Sequence, residues 1–153
     1  MSLERFALII TSATLLALGT LRYWGIAGNL TNSEPYGFYI RTPGDPIRGN
    51  MVALRSLIKH VAAVPGDTVR ATPEGSYING KLWPYSAIPT DSHYRPFPYG
   101  TYKLASGQFW LLGHSPLSWD SRYLGPIPQD LINFPLKPLW THSNGYAPGT
   151  RPW

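Results

Sequence analysis

Two side chains in this chain could form a nucleophile and a base. Ser33 lies in the polar stretch Thr31-Asn32-Ser33-Glu34-Pro35, and Lys59 lies in the apolar run that leads into Val64-Pro65-Gly66-Asp67. A lysine buried in such a run is costly to keep as an ammonium, because desolvation disfavours the charged form and pushes its pKa down. A neutral lysine within hydrogen-bond reach of a serine hydroxyl is a base for acyl transfer without histidine. His60 follows Lys59, and neighbours on a strand face opposite sides, so only one of the two can enter a shared site. A reading from residue type alone would favour His60 as the base. Ser33 by itself reads as a turn or helix-cap residue.

Downstream stands a third polar segment, Ser118-Trp119-Asp120-Ser121-Arg122. The order SEP at 33 to 35, KHVAAVPGD at 59 to 67 and SWDSR at 118 to 122 resembles the type I signal peptidase family. SEPYGFY, GPIP at 125 to 128 and PLWTH at 138 to 142 look most like its conjugative-transfer branch, the TraF-type peptidases that mature a pilin precursor. The resemblance runs from the N-terminal apolar segment to His142. It implies a signal-peptidase-like β-barrel or sandwich domain, with Ser33 as nucleophile and Lys59 as base. It also implies that Thr31 and the Ser33 backbone N–H hold the oxyanion, that Ser118 orients the lysine, and that Asp120 and Arg122 brace the site. Read without the family, Asn29-Leu30-Thr31 is a glycosylation sequon and Asp120 with Arg122 an ordinary ion pair, worth little if exposed. The implied substrate is an exported precursor cut after a small residue. Water resolving the acyl-enzyme gives a cleaved product; an amine of the substrate gives a cyclic one, as is known in the conjugative branch.

The chain departs from the family at His114, where many relatives carry an acidic residue after the glycine. His114 and His93 have no carboxylate or cysteine partner at ligand spacing along the sequence, so no metal site is expected, and no cofactor. The stretch from Val69 to Leu112 is too short for the large extra β-domain of some signal peptidases, which implies a minimal catalytic core.

Composition limits the architecture. A chain of 153 residues with 16 prolines, 15 glycines and 14% aromatics suits one turn-rich, mostly β domain. The formal charge is +5, but the basic residues form no run or stripe, so a nucleic-acid partner is not expected. The absence of cysteine excludes disulfides and a thiol nucleophile.

Residues 6 to 21 carry no charge and read as a membrane helix, although 16 residues span only about 24 Å against a hydrocarbon core of roughly 30 Å. Extension through Ile26-Ala27, with Arg22 snorkelling and Tyr23 and Trp24 at the interface, would complete the span. A cleaved signal peptide is the competing reading; the resemblance implies a retained anchor in contact with membrane lipid. The expected organisation is an anchor over 1–28, a β-rich Ser/Lys peptidase domain over 29–142 and a disordered tail over 143–153. Ser33 follows Arg22 by 11 residues, within about 40 Å of fully extended chain, so the nucleophile works near the membrane. The family implies the bacterial inner membrane, with the catalytic domain on the extracytoplasmic side.

Strands are expected over Tyr36 to Arg41, Met51 to Arg55, Leu57 to Val64, Thr68 to Thr72, Thr101 to Leu104, Gln108 to Leu112 and Leu136 to Trp140. Asn79-Gly80 marks a two-residue hairpin. Two rivals to the dedicated peptidase are a general type I signal peptidase and a membrane-anchored binding module that keeps the fold without the chemistry.

Overall fold

The computed structural model describes residues 2–142, and the expected tail lies outside the described residues. Helix α1, Leu3–Tyr23, is 21 residues long, which at 1.5 Å per residue gives about 32 Å, enough for a hydrocarbon core. Its window Leu3–Thr20 is long and apolar enough to cross a membrane, and none of it is buried against the rest of the protein. The hydroxyls of Thr11, Thr14 and Thr20 donate to carbonyls one turn earlier, at Ala7, Ile10 and Leu16. Those polar atoms therefore need no water. The span is completed by helix at both ends of the apolar run rather than by extension into Ile26-Ala27. Gly25 takes a positive φ of 69°, and a Cβ there would lie 2.9 Å from Arg41 Cβ, so the chain turns sharply where a larger residue would not fit.

Immediately past this turn the chain enters the sheet. Strand β1, Ile26–Asn29, pairs antiparallel with β2, Tyr36–Arg41, so the β-domain begins before residue 29. Then come β3 Met51–Leu54, β4 Leu57–Ala63, β5 Thr68–Thr72, β6 Gly75–Ile78 and β7 Lys81–Leu82. After a long irregular connection come β8 Gly100–Lys103, β9 Gln108–Leu112, the short helix α2 Ser121–Leu124, β10 Ile127–Pro128 and β11 Ile132–His142. Asn79, at φ 49°, and Gly80 make the β6–β7 turn, as that dipeptide dictates.

The strands form two antiparallel sheets. The larger has the order β1-β2-β11-β3-β4-β9-β10 and the smaller β7-β6-β5-β8. Neither order closes on itself, so among the described residues the sandwich alternative is realised and the closed barrel is not. β11 is longer than its neighbours because it pairs with β2 over its second half and with β3 over its first, a bulge falling in each ladder. Val69, Ala71 and Ile78 of the small sheet pack with Ala62, Ala63, Trp110 and Leu112 of the large one around Trp83. This shared core joins the two layers. β4 is buried from Ile58 to Ala63, which explains its nearly continuous apolar sequence. It also means that Lys59 and His60 are both inside.

Candidate active site

Asn29, the last residue of β1, shapes the loop that carries Ser33. Its amide nitrogen donates to the carbonyls of Glu34 (2.8 Å), Pro35 (3.1 Å) and Thr31 (3.2 Å). Its Oδ1 accepts from the Thr31 hydroxyl at 2.7 Å and from the Thr31 N–H at 3.2 Å. Tyr39, at the centre of β2, donates its hydroxyl to Pro35 O at 2.6 Å. The loop is thus tied from both adjoining strands, which holds Ser33 in position.

Ser33 Oγ and Thr31 Oγ1 lie 2.9 Å apart. The one hydroxyl proton of Thr31 is committed to Asn29 Oδ1, so Ser33 is the donor in this pair. Thr31 therefore lies beside Ser33 and receives the serine proton instead of offering one. To stabilise an oxyanion it would have to turn its hydroxyl away from Asn29.

Lys59 comes in from β4, opposite Val52 of β3, with only 1% of its surface exposed. Nζ donates to Ser118 Oγ at 2.7 Å. Burial pushes the lysine pKa down, and the Arg122 charge lowers it further, against the opposing pull of Asp120 and Glu34. Gly113 brings the two halves together: a Cβ there would lie 2.7 Å from Ser118 Cβ and 3.0 Å from Ser33 O. Only a glycine lets the serine loop and the Ser118 turn share that space. The next N–H, that of His114, donates to Ser33 O at 2.8 Å. The hydrogen bonds of Ser33 Oγ and Lys59 Nζ run to Thr31 and to Ser118, and a direct bond between the two is not among those of the described residues. Such catalytic contacts commonly tighten only when substrate binds.

Asp120 and Arg122 are both buried, so their pair is not the weak surface bridge that residue type alone suggested. Asp120 accepts from the Gly113 N–H at 2.9 Å, caps α2 through the Arg122 N–H, and takes Arg122 Nε and Nη2 at 2.9 and 2.8 Å. Arg122 also donates to the carbonyls of Ser115 and Ser118, fixing the turn that carries the lysine's partner.

One cluster was not visible in the sequence. Buried Glu34 places Oε1 3.0 Å from His60 Nδ1 and Oε2 2.9 Å from His114 Nδ1. The imidazoles meet edge to face, with centroids 4.3 Å apart. They hold the Glu34 carboxyl below its ordinary pKa against burial, which alone would raise it. His114 therefore does have a carboxylate partner, 80 residues away in sequence. His60 faces Glu34 and not Ser118, so of the two adjacent candidates it is Lys59 that joins the polar group around Ser118. Asn29, Glu34 and Gly113 were missed; the Asn-x-Thr spacing that looked like a sequon was the available signal for Asn29.

Most of the chain is similar to known proteins. Residues 30–134 match the family model described as signal peptidase, peptidase S26, and the chain belongs to that family of serine peptidases. It is 28% identical to a plasmid transfer protein TraF of Escherichia coli, over 91% of this chain and 96% of that protein. It is 30% identical to a "Probable signal peptidase I-2" of Synechocystis, over 58% of this chain and 45% of the relative. A crystal structure of a signal peptidase I from Enterococcus faecalis aligns with TM-score 0.45 and 24% identity, covering 63% of this chain and all of the other. With the apolar helix α1, family membership makes this a membrane-anchored peptidase acting on precursor proteins.

Proposed function

We propose that the chain uses a Ser33/Lys59 dyad to process a conjugative pilin precursor at the bacterial inner membrane, its catalytic domain facing the extracytoplasmic side. The observation that carries the chemistry is Lys59, almost wholly buried, with a neutral hydroxyl as hydrogen-bond partner, beside the glycine that also touches the serine loop. Neutral Lys59 takes the proton of Ser33 Oγ as that oxygen attacks the scissile carbonyl. The Ser33 N–H and a redirected Thr31 hydroxyl stabilise the oxyanion. The amine of the departing segment leaves with the proton from Lys59. Water then releases the acyl group as an acid, or the substrate's own amine releases it as a cyclic amide, and Ser33 recovers its proton in either case. Conjugation is favoured because similarity to the plasmid transfer protein spans nearly the whole of both chains, whereas similarity to the cyanobacterial signal peptidase is partial.

The test is a panel of full-length precursors, one conjugative pilin beside several general exported proteins, incubated with detergent-solubilised enzyme and read by mass spectrometry. Cleavage of the pilin alone is expected. Equal cleavage of all would assign a general signal peptidase, and a product one water lighter than the linear acid would assign cyclisation. Ser33→Ala should remove at least about 10³-fold of the activity while the fold persists, since a loop hydroxyl contributes little packing. Near-normal cleavage by that variant would exclude Ser33 as nucleophile.

A further inference from the structure

We propose that Glu34, His60 and His114 form a binding site for one first-row divalent transition ion, zinc by preference. This is independent of the peptidase reading, because it uses none of the groups assigned to acyl transfer. The three side chains come from three segments, the serine loop, β4 and the turn after β9, yet their ligand atoms all lie within 4.8 Å of one another. Each Nδ1 addresses a different oxygen of the same carboxylate, at 3.0 and 2.9 Å. That is the layout of two imidazoles and a bidentate carboxylate around one ion. Two ligand atoms about 2.1 Å from one ion can stand at most about 4.2 Å apart, so each N–O pair would have to part slightly from 3.0 and 2.9 Å while the set, whose atoms spread to within 4.8 Å, draws together around the ion. Two imidazole nitrogens with one carboxylate select a borderline ion over magnesium or calcium, which prefer all-oxygen shells.

Burial adds to the case. Glu34 is 1% exposed, and a cation held by it and the two imidazoles would place an opposite charge beside a buried carboxyl group. Coordination through Nδ1 moves the ring proton to Nε2, and on His114 that atom is buried with no hydrogen-bond partner among the described residues. This cost sets the affinity below that of a four-residue structural zinc site. In return the ion would bind together the residues that follow Ser33, Lys59 and Gly113, so the bound form should be the more rigid one.

The test uses full-length protein in detergent, free of any histidine tag and stripped with a chelator. Calorimetric titration with zinc chloride should show one saturable site and a raised melting temperature. Glu34→Gln, His60→Asn and His114→Asn should each weaken binding on the order of a hundredfold, whereas His93→Asn should leave it unchanged. Zinc-edge X-ray absorption on the wild type, which needs no variant to fold, should report two imidazole nitrogens. No saturable site, a zinc shell without two imidazoles, or binding that survives in His114→Asn would overturn the proposal.

Discussion

Two cations are buried a few ångströms from the same turn and are treated in opposite ways. Arg122, 3% exposed, has its guanidinium saturated: Asp120 takes two of its nitrogens, and the carbonyls of Tyr85, Ala87, Pro116, Ser115 and Ser118 take the remaining donor directions. Lys59, 1% exposed, has the Ser118 hydroxyl. A buried ion that only holds structure must be fully paired, or its desolvation is uncompensated. A group kept under-paired is held close to losing its charge, as a base requires. Ser118 links the two, since its carbonyl accepts from the arginine while its hydroxyl accepts from the lysine.

The sharpest way to break this contrast is Lys59→Met, which keeps the apolar stem and removes the charge. Activity should fall by about 10²- to 10⁴-fold, the range of general-base catalysis. Stability should not fall. The folded-state pKa of Lys59 lies below its ordinary value, so between those two values the unfolded chain binds the extra proton, and wild-type stability rises with pH through that window. The variant should therefore be equal to or more stable than wild type at neutral pH, with its advantage shrinking as pH nears the ordinary lysine value. Thermal melts from about pH 7 to about pH 10 would show it. A destabilised variant would make Lys59 a structural ion like Arg122.

The complementary change, Arg122→Met, should cost about 3 to 5 kcal/mol, because it leaves Asp120 buried and unpaired. Urea titration measures this, and any activity loss should follow the folded fraction. An intact fold without activity would give Arg122 a catalytic part and erase the distinction.

Ser118→Ala tests the link. It should lower the rate on the order of 10²-fold by letting Nζ wander, with a stability loss of about 1 kcal/mol, the usual contribution of one hydrogen bond. Substrate KM should stay put while kcat falls.

The smallest effect belongs to a third cation, outside the site. Arg48 pairs with Asp67 at the β4–β5 turn, but 45% of the arginine side chain is exposed. Burial alone would raise the Asp67 pKa; the Val64 N–H, the Asn79 amide and Arg48 together hold it below the ordinary value. Its stabilisation is present above the unfolded pKa and lost as pH falls through the folded one. Arg48→Ala should cost less than about 1 kcal/mol at neutral pH, shrinking further in acid or high salt. A larger loss would mean that exposure is a poor guide to which of these cations matters.

The sequence alone determined the elements and the chemical types. Alternation and breakers located most strands to within a residue or two, Asn79-Gly80 fixed its hairpin, and the uncharged N-terminal run announced α1. Three segments resembling those of type I signal peptidases singled out Ser33, Lys59, Ser118, Asp120 and Arg122 as candidates before any fold was known. It did not locate β1, because Ile26–Asn29 is short and continues an apolar stretch that reads as helix until Gly25 turns the chain. Nor could it decide what long-range contact decides. A period of two says that Lys59 and His60 face opposite ways, but not that Ser118 waits on one side and Glu34 on the other, 59 and 26 positions away. The burial of Arg122, the meeting of Glu34 with His114 and the space that only Gly113 leaves all depend on how β11 inserts between β2 and β3 and how β9 pairs with β4. Those pairings are set by the summed packing of two sheets, to which no single segment holds the key.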